Sequence, residues 1–206
     1  TVQPAGATIA LPFTTQPVLE IRDVNGNRTS STAAVTASVA SGLGILSGTT
    51  TVNAVNGVAT FTNLRITGLG AHTLLFATTS PVLTRTSASF NVVVGAPTTI
   101  AANSVVTQSA TVGTPVAAAP SVLVTDLLGN PVSGVAVTFT RTVGGGTITP
   151  ATPAVVNTNA SGIATLTSWT LGATVGANTV TATASGLAGS PVTFNATGTV
   201  GAATTL

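Results

Sequence analysis

The chain has no cysteine, no methionine, no tyrosine and no lysine, and only three acids and five arginines among 206 residues. Without cysteine there is no disulfide, no thiolate nucleophile and no Cys-ligated metal. The acids, Glu20, Asp23 and Asp126, are too few and too dispersed for the two placed carboxylates that glycoside hydrolysis requires. The one histidine, His72, has no nucleophile and carboxylate in a matching pattern, so a catalytic triad has nothing to stand on. No catalytic residue, no metal and no cofactor is therefore expected, and no enzymatic activity. Charged residues make up 4% of the chain, against about 25% in an average soluble protein. The high pI of 11.4 reflects a net charge of only +2. Arg22, Arg28, Arg65, Arg85 and Arg141 are scattered and form no basic stripe, which argues against nucleic acid and anionic bilayers as partners. Thr, Ser, Asn and Gly interrupt every apolar stretch before it reaches the roughly 20 residues of a spanning helix, so no membrane insertion is expected. The first residues show no basic segment followed by an apolar one, hence no targeting signal.

What the chain does contain is hydrophobic residues at 44%, which excludes the usual signature of disorder, and an internal repeat. Asp23-Val24-Asn25-Gly26-Asn27 is matched by Asp126-Leu127-Leu128-Gly129-Asn130, and Asn56-Gly57-Val58-Ala59-Thr60-Phe61 by Ser161-Gly162-Ile163-Ala164-Thr165-Leu166. Gly70-Ala71-His72-Thr73-Leu74 matches Gly176-Ala177-Asn178-Thr179-Val180, and Phe90-Asn91 matches Phe194-Asn195. The displacement stays between 103 and 106 positions, as when loops gain or lose a residue while strands keep register. A period of this length is a whole domain, not a solenoid turn. Gly95-Ala96-Pro97-Thr98-Thr99-Ile100 recurs as Gly201-Ala202-Ala203-Thr204-Thr205-Leu206, so 201–206 resembles the start of a further repeat. Two domains are expected, 1–95 and 96–206, with Val94–Asn103 as a short linker stiffened by Pro97.

Period-2 segments bounded by Gly, Asn, Asp and Pro indicate strands of an antiparallel sandwich. In Val135-Ala136-Val137-Thr138-Phe139-Thr140 bulky apolar side chains alternate with small or hydroxylated ones, one face for a core and one for water. Strands are expected at Ser121–Thr125, Val135–Arg141, Thr147–Thr149, Ala154–Asn157, Gly162–Thr170, Asn178–Ser185 and Val192–Thr199. The first repeat offers Val18–Arg22, Ala33–Val39, Gly57–Ile66, Thr73–Thr78 and Ser87–Val94. β-Branched Thr and Val dominate while strong helix formers are scarce, so no long helix is expected.

The run Asp126-Leu-Leu-Gly-Asn130-Pro131-Val132-Ser-Gly134-Val-Ala-Val137-Thr-Phe139, then Thr158-Asn-Ala-Ser-Gly162-Ile-Ala164-Thr-Leu166 and Asn178-Thr-Val180-Thr-Ala182, resembles the bacterial Ig-like domain of the invasin/intimin type. The first repeat is a looser match, with Arg28 at the place of Pro131 and Ser31 at that of Gly134. The resemblance implies an all-β fold of two tandem Ig-like antiparallel β-sandwiches. It also implies an extracellular place on a bacterial cell surface and a role as a stalk or spacer module. The lack of lysine excludes the Lys–Asn isopeptide bonds that lock many such fibres, so stability must come from strand pairing and apolar burial, about 25 cal/mol per Å². The alternative is a self-assembling subunit of a filament, sheath or surface layer, its charge-poor surface packing against other copies; the segments to suspect there are Thr1–Ala7 and Gly201–Leu206. A third reading is a carbohydrate-binding accessory module using Trp169.

Each candidate residue also has a plain structural reading. The oxygen-rich loop Asp23–Asn27 has calcium-like spacing but lacks the later bidentate Glu, and Asp, Asn and Gly also make simple turns. His72 is expected at a solvent-facing loop or strand entry. Trp169 aligns with Leu64 on an apolar position, which favours the core. Gly144-Gly145-Gly146 lacks the Lys and following helix of a phosphate loop and is expected to be a flexible connection. Asn27, Asn159 and Asn195 begin N-glycosylation sequons. The partners expected are other copies or neighbouring repeats, with glycans or host cell-surface ligands as further candidates.

Overall fold

The computed structural model describes residues 1–203, and every element among them is a β-strand. The chain divides into two compact units, Thr1–Val94 and Gly95–Leu206. Of the segment resembling a further repeat, Thr204–Leu206 lie outside the described residues.

In the first unit the strands are β1 (Ala7–Thr8), β2 (Val18–Glu20), β3 (Ala34–Ser41), β4 (Leu46–Ser47), β5 (Thr51–Asn53), β6 (Val58–Thr60), β7 (Arg65–Ile66), β8 (Gly70–Thr78), β9 (Thr84–Thr86) and β10 (Phe90–Val93). One sheet runs β1-β10-β8-β3-β5, with β9 also on β8; the pairs β2-β6 and β4-β7 form the opposing layer. The strict alternation of β8 turns His72, Leu74, Phe76 and Thr78 inward. Leu74 and Phe76 join Leu19, Ile21, Phe61, Leu64 and Ile66 in one core, and Phe61 and Phe76 lie with ring centroids 5.5 Å apart.

The second unit contains β11 (Pro97–Ala102), β12 (Thr107–Thr111), β13 (Ser121–Asp126), β14 (Ala136–Val143), β15 (Gly146–Thr149), β16 (Ala154–Asn157), β17 (Ile163–Thr165), β18 (Ser168–Leu171), β19 (Gly176–Thr183) and β20 (Val192–Thr199). Its large sheet is β12-β20-β19-β14-β16, faced by β11-β13-β17 and β15-β18. Val122, Val124, Val137, Phe139, Trp169, Val180 and Phe194 are all fully buried. These are the odd or even positions that the alternating sequence marks for the core.

Three expectations need correction. The single long strands expected at Gly57–Ile66 and Gly162–Thr170 are each two strands belonging to different pairs, β6 and β7, and β17 and β18. The physical cause is a phase slip. Ala59 and Phe61 are buried two apart, but Leu64 and Ile66 resume one residue out of step, as do Ala164 and Leu166 against Trp169 and Leu171; a continuous strand would turn half of these to water. The segment Val94–Asn103 is not a plain linker, because most of it is β11, paired antiparallel with β13. Pro97 opens that strand, where a missing N–H does no harm, and Ile100 is buried. The stretch Thr1–Ala7 is spent inside its own unit, through bridges from Val2 to Val18 and Ala5 to Thr15 and through β1 on β10.

Removing a ring from the centre of either core should be costly. Phe139→Ala is expected to lower unfolding free energy by about 4 kcal/mol, the usual cost of truncating a buried aromatic. A urea midpoint unchanged from the parent chain would contradict the packing described.

Candidate functional site

The paired Asp loops are turns held by their own carboxylates. In Asp126–Asn130, Asp126 Oδ1 accepts from the N–H groups of Leu128 and Asn130, both at 2.9 Å, and the Asn130 side-chain amide donates to both carboxylate oxygens. Gly95 N–H adds a further bond to Oδ2 at 3.0 Å. In Asp23–Asn27, Asp23 Oδ1 likewise accepts from Asn25 and Asn27 N–H, and the Asn27 side chain donates to Oδ2. The oxygens that a cation would need are taken up by the loop itself, and no cluster of three His, Cys, Asp or Glu groups exists among the described residues. Asp126 is buried and Asp23 is exposed. Burial pushes the Asp126 carboxyl upward, but the donors from Asn130, Gly95 and Leu128 outweigh it and hold the pKa below 3.8.

His72 does not face solvent. It is 1% exposed, its Nδ1 lies 2.9 Å from the Gly70 carbonyl, and its ring stacks on Phe90. Asn178 holds the corresponding place, 2% exposed, donating from Nδ2 to the Gly176 carbonyl at 3.2 Å and accepting from Gly172 N–H at 3.3 Å. Both side chains lie under a glycine bend. A Cβ on Gly42 would come within 2.3 Å of His72 Cδ2, and one on Gly144 within 2.3 Å of Asn178 Oδ1; both glycines have positive φ. Gly144-Gly145-Gly146 is thus a packed bend, not a loose connection, because the polar plug beneath leaves no room for a side chain.

Trp169 is fully buried opposite Ile148, and its Nε1 has no hydrogen-bond partner among the described residues. Leu64 is buried at the matching position of the first unit, so the place calls for apolar bulk. A sugar ring cannot stack there, and the carbohydrate-binding reading built on Trp169 is withdrawn. The sequon residues Asn27, Asn159 and Asn195 are all exposed. Asn27 uses its side-chain nitrogen within its turn, whereas Asn159 engages only its oxygen, accepting from the N–H groups of Ser161 and Ile163. In mid-strand, Asn195 accepts from the Thr179 hydroxyl.

The feature that sequence reasoning missed is a groove of about 370 Å³ in the first unit, lined by Thr1, Leu19, Ile21, Phe76, Leu83 and Arg85 among others.

No protein-family model matches the chain, and no curated protein matches it. Among solved structures it is similar to the Escherichia coli adhesin FdeC, at 19% identity over 96% of this chain and 64% of that one, with a TM-score of 0.51. The fold is that of an Ig-like β-sandwich. Further similarities are to the D0-D1 domain of intimin (22% identity, 95% and 93% covered, TM-score 0.35) and to domains 4 and 5 of the S-layer protein SbsC (16%, 92% and 82%, TM-score 0.39). The chain spans 39% to 64% of the invasin, InvE and FdeC chains it resembles.

Asp126→Ala is expected to cost about 3 kcal/mol, since several donors lose a charged acceptor in a buried site, while Asp23→Ala costs less. Because the folded pKa of Asp126 is lowered, its contribution is complete above the ordinary value of 3.8 and is lost as pH falls through the folded value. Acid titration of the parent and of Asp126→Ala should therefore converge at low pH, and curves that stay parallel would refute the assignment. Trp169 fluorescence should be poorly quenched by acrylamide and indifferent to oligosaccharides; strong quenching would mean that the residue is accessible.

Proposed function

We propose that this chain is a structural or adhesive module of a bacterial cell-surface protein. It would act outside the cell as a spacer, without enzymatic activity, built of tandem Ig-like domains 1–95 and 96–206. The observation that supports this is the way each unit's outer strands are joined. β12 lies parallel to β20 in continuous register from Thr107 opposite Asn195 to Thr111 opposite Thr199. Tension along the chain drags these two strands in opposite directions along their own axes, so that the hydrogen bonds between them are sheared together instead of peeled one by one. In the first unit β1 and β10 repeat the arrangement, over only two register pairs. The names of the similar structures, adhesins and an S-layer protein, agree with a surface role.

A second reading is a subunit of an extracellular filament, sheath or surface layer, whose partners are copies of the same chain. It draws on the charge-poor surface and on exposed apolar side chains such as Val24 at 98% and Leu43 at 95%. Contacts made by such a surface depend little on salt. If the host glycosylates, Asn159 is the sequon best placed to be modified, because its nitrogen is free of the turn. Glycans or cell-surface ligands remain the wider partner class of the adhesive reading.

Single-molecule stretching tests the spacer role. Two separate rupture events are expected, with the unit carrying β12 and β20 breaking at the higher force because five paired positions share the load. Extension without resolvable force peaks would rule out a force-carrying role.

A further inference from the structure

Two asparagines in the chain are followed by glycine, Asn25 and Asn56, and both lie in the first unit. Leu128-Gly129 and Ser161-Gly162 stand at the matching places of the second. An Asn-Gly pair carries a reaction of its own, because the glycine nitrogen can attack the side-chain amide carbon before it with no Cβ in the way. Both asparagines are exposed, so exposure alone does not separate them. Their backbones do.

Asn56 and Gly57 have φ of 48° and 74°. They are the central residues of a closed hairpin turn, across which Val55 and Val58 exchange N–H and carbonyl bonds at 2.8 and 3.0 Å. Gly57 is buried, and its N–H donates to the Ser31 carbonyl at 2.9 Å. A Cβ on Gly57 would lie 2.2 Å from the Thr29 carbonyl oxygen. The nitrogen that has to attack is therefore fixed against another segment of the unit.

Asn25 is placed differently. Gly26 is exposed, and a Cβ on it would meet nothing within 4 Å. Its N–H donates to the Asp23 carbonyl at 3.0 Å, a bond inside the turn that opens without disturbing any other segment. The Asn25 side-chain amide has no hydrogen bond among the described residues; its backbone N–H alone is used, on Asp23 Oδ1 at 2.9 Å. Leu128 N–H makes the same bond to Asp126 Oδ1, also at 2.9 Å, so the turn needs no amide at this position. The amide of Asn27, in contrast, is tied to Asp23.

We propose that Asn25 is a site of spontaneous modification, converting to aspartate or isoaspartate through a cyclic imide, while the hairpin turn protects Asn56. The Gly26 nitrogen gives up its proton and bonds to the side-chain carbonyl carbon of Asn25. The bond from that carbon to the amide nitrogen breaks, and the nitrogen takes up a proton and leaves as ammonia. Water then opens one of the two C–N bonds of the ring. One opening gives aspartate; the other carries the main chain through the side-chain carbon and gives isoaspartate. One water is consumed, one ammonia is released, and nothing is oxidised or reduced. Either product sets a second carboxylate beside Asp23 and adds one negative charge to a chain whose net charge is +2. Isoaspartate also adds a methylene to the main chain, so the two bonds that Asp23 Oδ1 accepts, from residue 25 and from Asn27, no longer fit together. The reaction needs no enzyme, so the modified fraction rises with the age of the molecule and with pH. It is independent of the spacer role.

The arginines make both sites separable. Cleavage after Arg22 and Arg28 frees residues 23–28, and cleavage after Arg28 and Arg65 frees 29–65, which contains Asn56. The folded chain is aged at mildly alkaline pH, cut with an Arg-specific protease under conditions that stop the reaction, and read by mass spectrometry with fragmentation. Asn25 should convert about tenfold faster than Asn56, the factor that one further tertiary hydrogen bond at Gly57 provides. In urea the two should convert at the same rate. Asn25→Leu, which installs the residue of the matching turn, should remove the early acidic species on ion exchange and leave the melting temperature unchanged. Equal rates in the folded chain overturn the proposal, as does an Asn25 that stays intact when folded yet reacts in urea. A tenfold ratio that persists in urea overturns the protective role of the turn. An early acidic species that survives Asn25→Leu overturns the assignment of the site.

Discussion

Each unit stands on the antiparallel pairing of its central strands, β3 with β8 and β14 with β19. That pairing turns every second side chain into one layer, and the remaining strands have a core to close because of it. With one ion pair, Arg22 to Glu20, among the described residues, and no disulfide, there is little else to hold the layers together. Leu74 and Phe76 in the first unit, and Val180 and Ala182 in the second, occupy the same inward places. The second unit has the smaller side chains on β19 and makes up the volume with Trp169 where the first has Leu64.

The repeat preserves roles more faithfully than residues. His72 and Asn178 differ in size and shape, yet both fill the space beneath a glycine bend and bond the carbonyl two residues back. The two Asp turns share their inner hydrogen bonds, and the second has one more donor. There Gly95 N–H reaches Asp126 and the carboxylate is buried. Burial and a backbone donor thus distinguish the electrostatics of two turns that share Asp, Gly and Asn at the same spacing.

Much of the fold was legible in the chain. The alternation in Val135–Thr140 and in Asn178–Ala184, the matched turns and the lack of helix formers led to an all-β sandwich with most strands in place. Ala154–Asn157 and Val192–Thr199 appear with the same bounds. The breaks at Phe61–Leu64 and Leu166–Trp169 were legible too, as a slip in apolar phase, but the uninterrupted Thr and Val content hid them. His72 was misplaced because a polar side chain in a Gly-flanked segment looks solvent-bound when the glycine bend that covers it is 30 residues away in sequence.

Taken alone, the sequence determined which faces are apolar and that its turns and strands recur 103 to 106 positions apart. These depend on composition and on spacing along the chain. The tertiary structure decided which polar groups are buried and that Pro97–Ala102 is a strand of the second core. Such outcomes depend on which distant strands become neighbours, and side chains around a hydrogen-bonded edge carry no local mark of whether that edge will be covered.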